Sequence, residues 1–329
     1  MILLITTSSQ ILKKISIVIP CHNRRAALSL TLESLNKQVY PSEDFEVIVV
    51  DQDSSDGSRD LTHTLKTSFM LRIIEQKNEG GPSVARNEGA AAATGPILLF
   101  LDADIVVDPE LVNIHLECEK KFPNSLICGR LLPYACANIT YLDKIIEPDS
   151  GLDRGNIEGK LPFYQAFSGN MSLSKDLFFK IGLFDKDFVS FEDVEFGYRA
   201  SKLGIKIINC PQAIGYHNHS RTLQERCEQA RRYNRMIPLL FKKHPELAGT
   251  IPMIRDFEAI DWQKENPKQL LNKFRARLYG LSVFRWSAMF ILNFINRHQV
   301  FPWLGKILYW RLIIGNWYRG FQDGIKLLE

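Results

Sequence analysis

"PILLFLDAD", residues 96–104, decides the fold. An unbroken apolar run at 97–101 ends in two carboxylates one residue apart, Asp102 and Asp104. A short apolar run bounded by Gly95 and Pro96 reads as a strand buried on both faces. Two like-charged acids at its exit are costly to bury unless a cation or a dense hydrogen-bond set compensates them. Upstream, "ISIVIP" (15–20), "EVIVVD" (46–51) and "LRIIEQ" (71–76) have the same strand character. Between them, Leu28, Leu32, Leu35 and Val39 recur at helical spacing, and 84–94 is an Ala-rich helical stretch. This alternation predicts a mostly parallel sheet covered on both faces, with right-handed crossovers. Ligands bind such sheets beyond the carboxyl ends of the strands, where Asp51 and Asp102 stand.

Downstream the rhythm loosens. A helix is expected over 109–122 and a strand over 125–132. The stretch 133–165 carries Pro133, Pro148, Gly151, Gly155, Gly159 and Pro162 and reads as lids or binding loops. The chain then re-forms as "FSGNMSLS" (167–174), helices near 175–181 and 193–203, and a strand at 205–209.

With 329 residues the chain is long enough for one large domain plus an appendage or for two modest domains, and its 45% hydrophobic and 24% charged residues are those of a soluble globular protein. Its six cysteines form no CxxC pair, which argues against a zinc module or a disulfide framework and fits a reducing compartment. The opening "MILLITTSSQILKK" has an apolar run too short for a signal-peptide core or a membrane span. Residues 1–219 carry 22 Lys/Arg against 28 Asp/Glu, whereas 220–329 carry 19 against 9. A domain boundary is therefore expected there, with a basic, aromatic-rich helical extension after it.

The first turn, "PCHNR", has no GxGxxG, so a dinucleotide-binding reading is poorly supported. "DQDSSDGS" (51–58) offers short acceptors and hydroxyls that suit helix capping and Asx turns as well as a ligand. "NEGGPSVARNEGAAAATG" (78–95) places paired glycines before a helix. Two hard acids at Asp102 and Asp104 suit Mg2+ or Mn2+, which take oxygen ligands and keep places for substrate phosphates.

Taken together, "ISIVIPCHNR", "FEVIVVDQDSSDGS", "NEGGPSVARNEGAAAATG", "ILLFLDADI", "FSGNMSLSKDLFFKIGLFD" and "FEDVEFGYRASKLGI" resemble the family 2 glycosyltransferases across about residues 14–219. The resemblance implies a GT-A fold, a nucleotide-diphosphate sugar donor and an inverting, divalent-metal-dependent transfer. It implies that Asp102 and Asp104 hold the metal–diphosphate unit, Asp104 as the direct ligand. Pro20, His22 and Asp51 line the base pocket, and Arg86 pairs with an acid of the site or faces phosphate. Asp193, in "FEDVEFGYR", is the implied general base. Gly169, Asn170 and Glu192 are assigned to the acceptor, and Glu192 alternatively to capping its helix. In "AIGYHNHS" (213–220), His217 is the implied histidine ligand, with His219 in reserve. One departure stands out. Many relatives carry two adjacent acids at the end of the second strand, and here the second is Gln52, which leaves the base open among uracil, thymine and guanine.

In "YGLSVFRWSAMFILNFINRHQVFPWLGKILYWRLIIGNWYRG" (279–320), Trp286, Trp303, Trp310 and Trp317 alternate with Arg and Lys, as in helices that lie in a membrane interface. Packing against protein is the competing reading. The expected acceptor is a growing glycan or lipid-linked saccharide, the expected location cytoplasmic or at the inner membrane face, and nucleic acid is not an expected partner. Two rival functions are a sugar-1-phosphate nucleotidyltransferase, whose glycine-rich first loop is missing, and a non-catalytic sugar-nucleotide or membrane-associated binder, against which Asp102, Asp104 and Asp193 all stand.

Overall fold

The computed structural model describes residues 14–77, 80–134, 140–146, 153, 155–218, 221–248 and 250–329. In chain order the elements are β1 (Ile15–Cys21), α1 (Arg25–Leu35), β2 (Phe45–Gln52), α2 (Leu61–Thr64), β3 (Met70–Gln76), α3 (Gly81–Ala92), β4 (Ile97–Leu101), β5 (Ile105–Val107), α4 (Leu111–Lys121), β6 (Ser125–Pro133) and α5 (Tyr141–Ile146). They continue as β7 (Gly159–Lys160), β8 (Asn170–Ser174), α6 (Lys175–Ile181), α7 (Glu192–Lys202), β9 (Lys206–His217), α8 (Leu223–Asn234), α9 (Ile237–Lys243), α10 (Pro252–Arg255), α11 (Pro267–Gly280), α12 (Ser282–His298) and α13 (Pro302–Leu328). Two compact units form. One takes residues up to 134 with 152–187 and 192–218, and the other takes 135–151, 188–191 and 219–329. The helical unit thus also claims α5 and a short segment before α7, which lie upstream of the expected boundary at 219.

The α/β unit holds a sheet in the order β3-β2-β1-β4-β8-β6-β9-β5, with β7 on β9. β1 runs parallel to β2 and β4, and β2 parallel to β3. Beyond β4 the sheet is mixed: β8 is antiparallel to both β4 and β6, β5 and β7 are antiparallel to β9, and only β6–β9 is parallel. A mostly parallel sheet was the expectation, and the difference lies where the βα alternation breaks down. Reversal at β8 has a positional consequence: Asn170 pairs with Leu101, so the segment entering β8 meets the exit of β4.

Both sheet faces are covered, which is why the strands are apolar without alternation. On one face Ile15, Ile17 and Ile19 pack with Leu28 and Leu32 of α1 and Leu111 of α4. On the other, Val18, Ile48 and Phe100 pack with Ala85 and Ala90 of α3 and with Phe178, Phe184 and Phe196. Gly89 lets α3 approach this face, since a Cβ there would overlap Val18. Helix α1 stops at Leu35, so Val39 continues no stripe and is exposed.

Glu46, fully buried in β2, accepts from Ser16 Oγ, Thr94 N and Thr94 Oγ, each at 2.7 Å, and pairs with Arg72. Burial alone would raise its pKa, but the Thr94, Ser16 and Arg72 hydrogen bonds hold it below the ordinary value. The cysteines bring a correction: Cys118 of α4 and Cys210 of β9 are joined by a disulfide. No spacing rule could pair residues 92 apart, because the sheet alone brings them together.

In the helical unit Leu142, Cys227, Leu292 and Leu312 share a core. Among the described residues no single helix is long and apolar enough to cross a membrane, and α11 and α12 meet at a bend of 74°.

Candidate active site

Arg86, on α3, is the hub of the site. Its guanidinium donates from Nη2 to Asp102 Oδ1 at 2.7 Å and from Nη1 to Glu192 Oε1 at 2.6 Å. The Arg86 and Glu192 side chains are almost wholly buried, whereas Asp102 is 38% exposed and so retains a face toward solvent. Burial alone would depress the Arg86 pKa, and Asp102, Glu192 and Asp193 more than reverse that, so the cation is secure. Part of the compensation that the 102/104 pair demands therefore comes from the chain itself. Gly169 fits beneath: its carbonyl accepts from Asp102 N at 3.2 Å, and a Cβ would come 2.8 Å from Asp102 Oδ2.

Helix α7 begins just after Phe191, whose φ of 69° turns the chain sharply into it. Glu192, Asp193 and Glu195 fill its first turn, a favourable place for carboxylates beside unpaired backbone N–H groups. Asp193 Oδ2 accepts from Ser168 N at 3.2 Å and Oδ1 from Val194 N at 2.8 Å. Its pKa is nevertheless pushed up to about 7, by burial first and then by Glu192, against the pull of Arg86. A carboxylate with this titration can accept a proton near neutral pH.

Strand β5 pairs with the end of β9, placing Ile105 opposite His217. His217 Nε2 thereby comes 3.8 Å from Asp104 Oδ2, and Asn218 N donates to Asp104 O at 2.7 Å. Among the described residues no three His, Cys, Asp or Glu side chains gather as a metal cage. One carboxylate and one imidazole leave most coordination places to water and ligand oxygens, a donor set that fits Mn2+ or Mg2+. His219 lies outside the described residues.

The ends of β1, β2 and β3 form the remaining wall. Pro20 and Cys21 pair with Val50 and Asp51, and Gln52 with Gln76. His22 Nδ1 is 2.6 Å from Gln52 O, and Asn23 Nδ2 is 3.0 Å from His22 Nε2, an arrangement that assigns the ring proton to Nδ1. Asp51 Oδ2 binds Arg59, while Asp51 Oδ1 is buried with no partner among the described residues. Gln52 Nε2 donates to Gln76 Oε1 at 2.7 Å and to Gly81 O at 2.9 Å. A backbone carbonyl can only accept, so this contact settles both amide orientations. Gln52 Oε1 is left as an acceptor and Gln76 Nε2 as a donor.

Two expectations are revised. Asn170 is fully buried rather than presented to an acceptor: its amide donates to Ala213 O at 2.9 Å, and its Oδ1 lies 2.9 Å from His115 Nε2. Glu192 is committed to Arg86. Sequence reasoning missed Gln76, Ser168 and the buried pair His115 and Glu119. That pair left a faint signal, two polar residues four apart on the otherwise apolar face of α4.

An α/β sheet with acids at the strand exits and a carboxylate-led helix over them defines the class of GT-A sugar transferases. The profile of glycosyl transferase family 2 matches residues 16–181, and that of glycosyl transferase family group 2 matches 159–318. The chain belongs to glycosyl transferase family 2. It is 29% identical over 264 residues to validoxylamine A glucosyltransferase of Streptomyces hygroscopicus subsp. jinggangensis, covering 69% of this chain and 63% of that one. It is 27% identical over 270 residues to the chondroitin synthase of Escherichia coli, covering 71% and 39%. The chain thus spans under two thirds of these relatives. Among solved structures, the mannosyltransferase PcManGT of Pyrobaculum calidifontis, in complex with GDP-Man and Mn2+, superposes with a TM-score of 0.60 at 16% identity, covering 96% of this chain and 88% of that one. Residues 1–349 of Staphylococcus aureus TarS, in complex with UDP, superpose with a TM-score of 0.52 at 16% identity, covering 96% and 92%.

Proposed function

We propose that the protein transfers a sugar from a nucleotide-diphosphate donor to a hydroxyl of a glycan or lipid-linked saccharide, with inversion at the anomeric carbon. The observation that carries this reading is the Asp102–Arg86–Glu192 bridge, which links the exit of β4 to the helix bearing Asp193. Asp193 accepts the proton of the acceptor hydroxyl as its oxygen attacks the anomeric carbon, and the bond to the diphosphate oxygen breaks on the opposite side. Asp104 and His217 are the residues to hold Mn2+ or Mg2+. When bound, the cation supplies positive charge to the leaving diphosphate, so no protein acid is required there. Asp102 holds its orientation through Arg86, and Gly169 keeps the space beside it.

Pro20, His22, Asp51, Gln52 and Gln76 form the base pocket in this reading. The Gln52–Gln76 pair offers an acceptor beside a donor, complementary to a ring N–H beside a carbonyl. Uracil, thymine and guanine present that pair with the donor on the ring nitrogen, whereas in cytosine and adenine the ring nitrogen accepts and the exocyclic amine donates. The relatives that bind UDP and GDP-Man agree with this. A thermal-shift panel of UDP, dTDP, GDP, CDP and ADP with Mn2+ or EDTA tests it, because ligands of the folded state raise its melting midpoint. Metal-dependent stabilisation by one or more of the first three, with CDP and ADP inactive, is the expected result. Equal shifts from CDP would refute the base reading, and equal shifts in EDTA would refute the metal role.

A further inference from the structure

We propose that the helical unit docks on an anionic lipid surface through the outward faces of α11, α12 and α13. In α12 the usual amphipathic arrangement is doubled. Ala288, Leu292 and Ile295 face the core of the unit, yet Val283, Trp286, Phe290 and Phe294, on the outward side, are also apolar and are 78, 72, 66 and 50% exposed. Spacings of three and four residues align these four on one face. Trp286 and Phe290 stack with ring centroids 6.1 Å apart, so the stripe is continuous. Helix α11 repeats the pattern with exposed Leu271, Phe274 and Leu278, and α13 opens on exposed Trp303 and Ile307. Single exposed hydrophobics are ordinary, but stripes on three successive helices of one unit mark an interaction surface.

Charge identifies the occupant. From residue 266 through 322 there are nine Lys/Arg and no Asp or Glu. Lys268, Arg275, Arg297 and Arg311 are exposed beside or at the ends of the stripes. Arg285 Nε and Arg319 Nε are buried with no hydrogen-bond partner among the described residues. A second copy of this chain is a poor fit, because a two-fold contact would bring the same cations against each other. An anionic bilayer complements both properties. Trp and Phe settle at the headgroup–acyl boundary while Arg and Lys bind lipid phosphates. Among the described residues no single helix is long and apolar enough to cross a bilayer, which suits helices lying on its surface. This inference is independent of the transfer chemistry.

Co-sedimentation of the full chain with phosphatidylglycerol–phosphatidylcholine vesicles, against phosphatidylcholine alone, tests it. Binding to the anionic vesicles is expected, weakened by salt. In the triple variant Trp286→Ser, Phe290→Ser, Phe294→Ser it is expected to fall at least about tenfold. A second readout needs no variant: brominated lipid in the anionic vesicles is expected to quench tryptophan fluorescence of the wild type. Absent binding, unchanged partitioning of a folded variant, or absent quenching would overturn the proposal. So would a wild-type dimer in sedimentation velocity that the triple variant converts to monomer, since that would assign the face to a second copy.

Discussion

At the scale of single residues, the site is organised around charges that the chain balances internally. Arg86 answers Asp102 and Glu192, and the neighbouring Asp193 is left with a proton affinity raised to about 7 by burial and Glu192. As a general base Asp193 acts only when deprotonated. The turnover rate is therefore expected to rise with pH through about 7 and level off above it. Asp193→Asn removes the base with little change in shape, so kcat is expected to fall about 10²–10⁴-fold. Nucleotide affinity, followed by calorimetry, is expected to stay unchanged. An unaltered kcat would remove Asp193 from this role. Asp102 stood out in the sequence as an acid ending an apolar run, whereas Asp193 was singled out only by the family resemblance of "FEDVEFGYR". The Gln52–Gln76 pair was half legible: Gln52 stands out as a departure, but its partner comes from the neighbouring strand and depends on β2–β3 register.

At the scale of elements, α4 and β8 carry a buried polar chain. Asn170 donates through its amide nitrogen to backbone carbonyls, so its Oδ1 must accept from His115 Nε2–H. His115 Nδ1 lies 3.0 Å from Ser172 Oγ, and Ser172 Oγ lies 2.6 Å from Glu119 Oε1 and can donate to it. The chain closes either as an imidazolium–carboxylate pair or with His115 neutral and Glu119 protonated. Burial favours the neutral pair, pushing the His115 pKa down to about 4 and the Glu119 pKa up to about 7. Between the ordinary carboxyl value of 4.5 and about 7 the folded state binds more protons at Glu119 than the unfolded state. Its contribution, at most about 3 kcal/mol, is thus full below that window and is lost as pH rises through about 7. Glu119→Gln donates to Ser172 as the acid does, so it should flatten this pH dependence in urea melts. A parallel pH profile in the variant would show that Glu119 is not the titrating group. The same helix is tied to β9 by Cys118–Cys210, closing a loop of 92 residues, and reducing that bond should lower stability by about 2–4 kcal/mol. Calorimetric traces that coincide with and without reductant would show the thiols to be free in solution. Neither feature was legible beforehand, since each joins residues distant in sequence that only the sheet order brings together.

At the scale of the whole molecule, two units of opposite character divide the chain. Residues 1–219 are net acidic and carry the candidate transfer site, while the remainder is basic and its helices display apolar stripes to solvent. Vesicle binding by the whole chain is expected to weaken steeply with added salt, because part of it is charge attraction within a Debye length of the lipid surface. Salt-insensitive binding would leave hydrophobic insertion as the sole force and remove the role given to the arginines and lysines. By itself the sequence determined the strands from β1 to β4, the helices between them and the acids at the strand exits. Those are local facts: unbroken apolar runs, helical spacing and the cost of burying charge operate over neighbouring residues. Tertiary structure alone decided that β8 runs antiparallel between β4 and β6, that His217 meets Asp104 across β5 and β9, and that Arg86 joins Asp102 to Glu192. It also decided which faces of the C-terminal helices stay uncovered. Each of these depends on pairing and packing between segments far apart in the chain, where the spacing of residues along it carries no information.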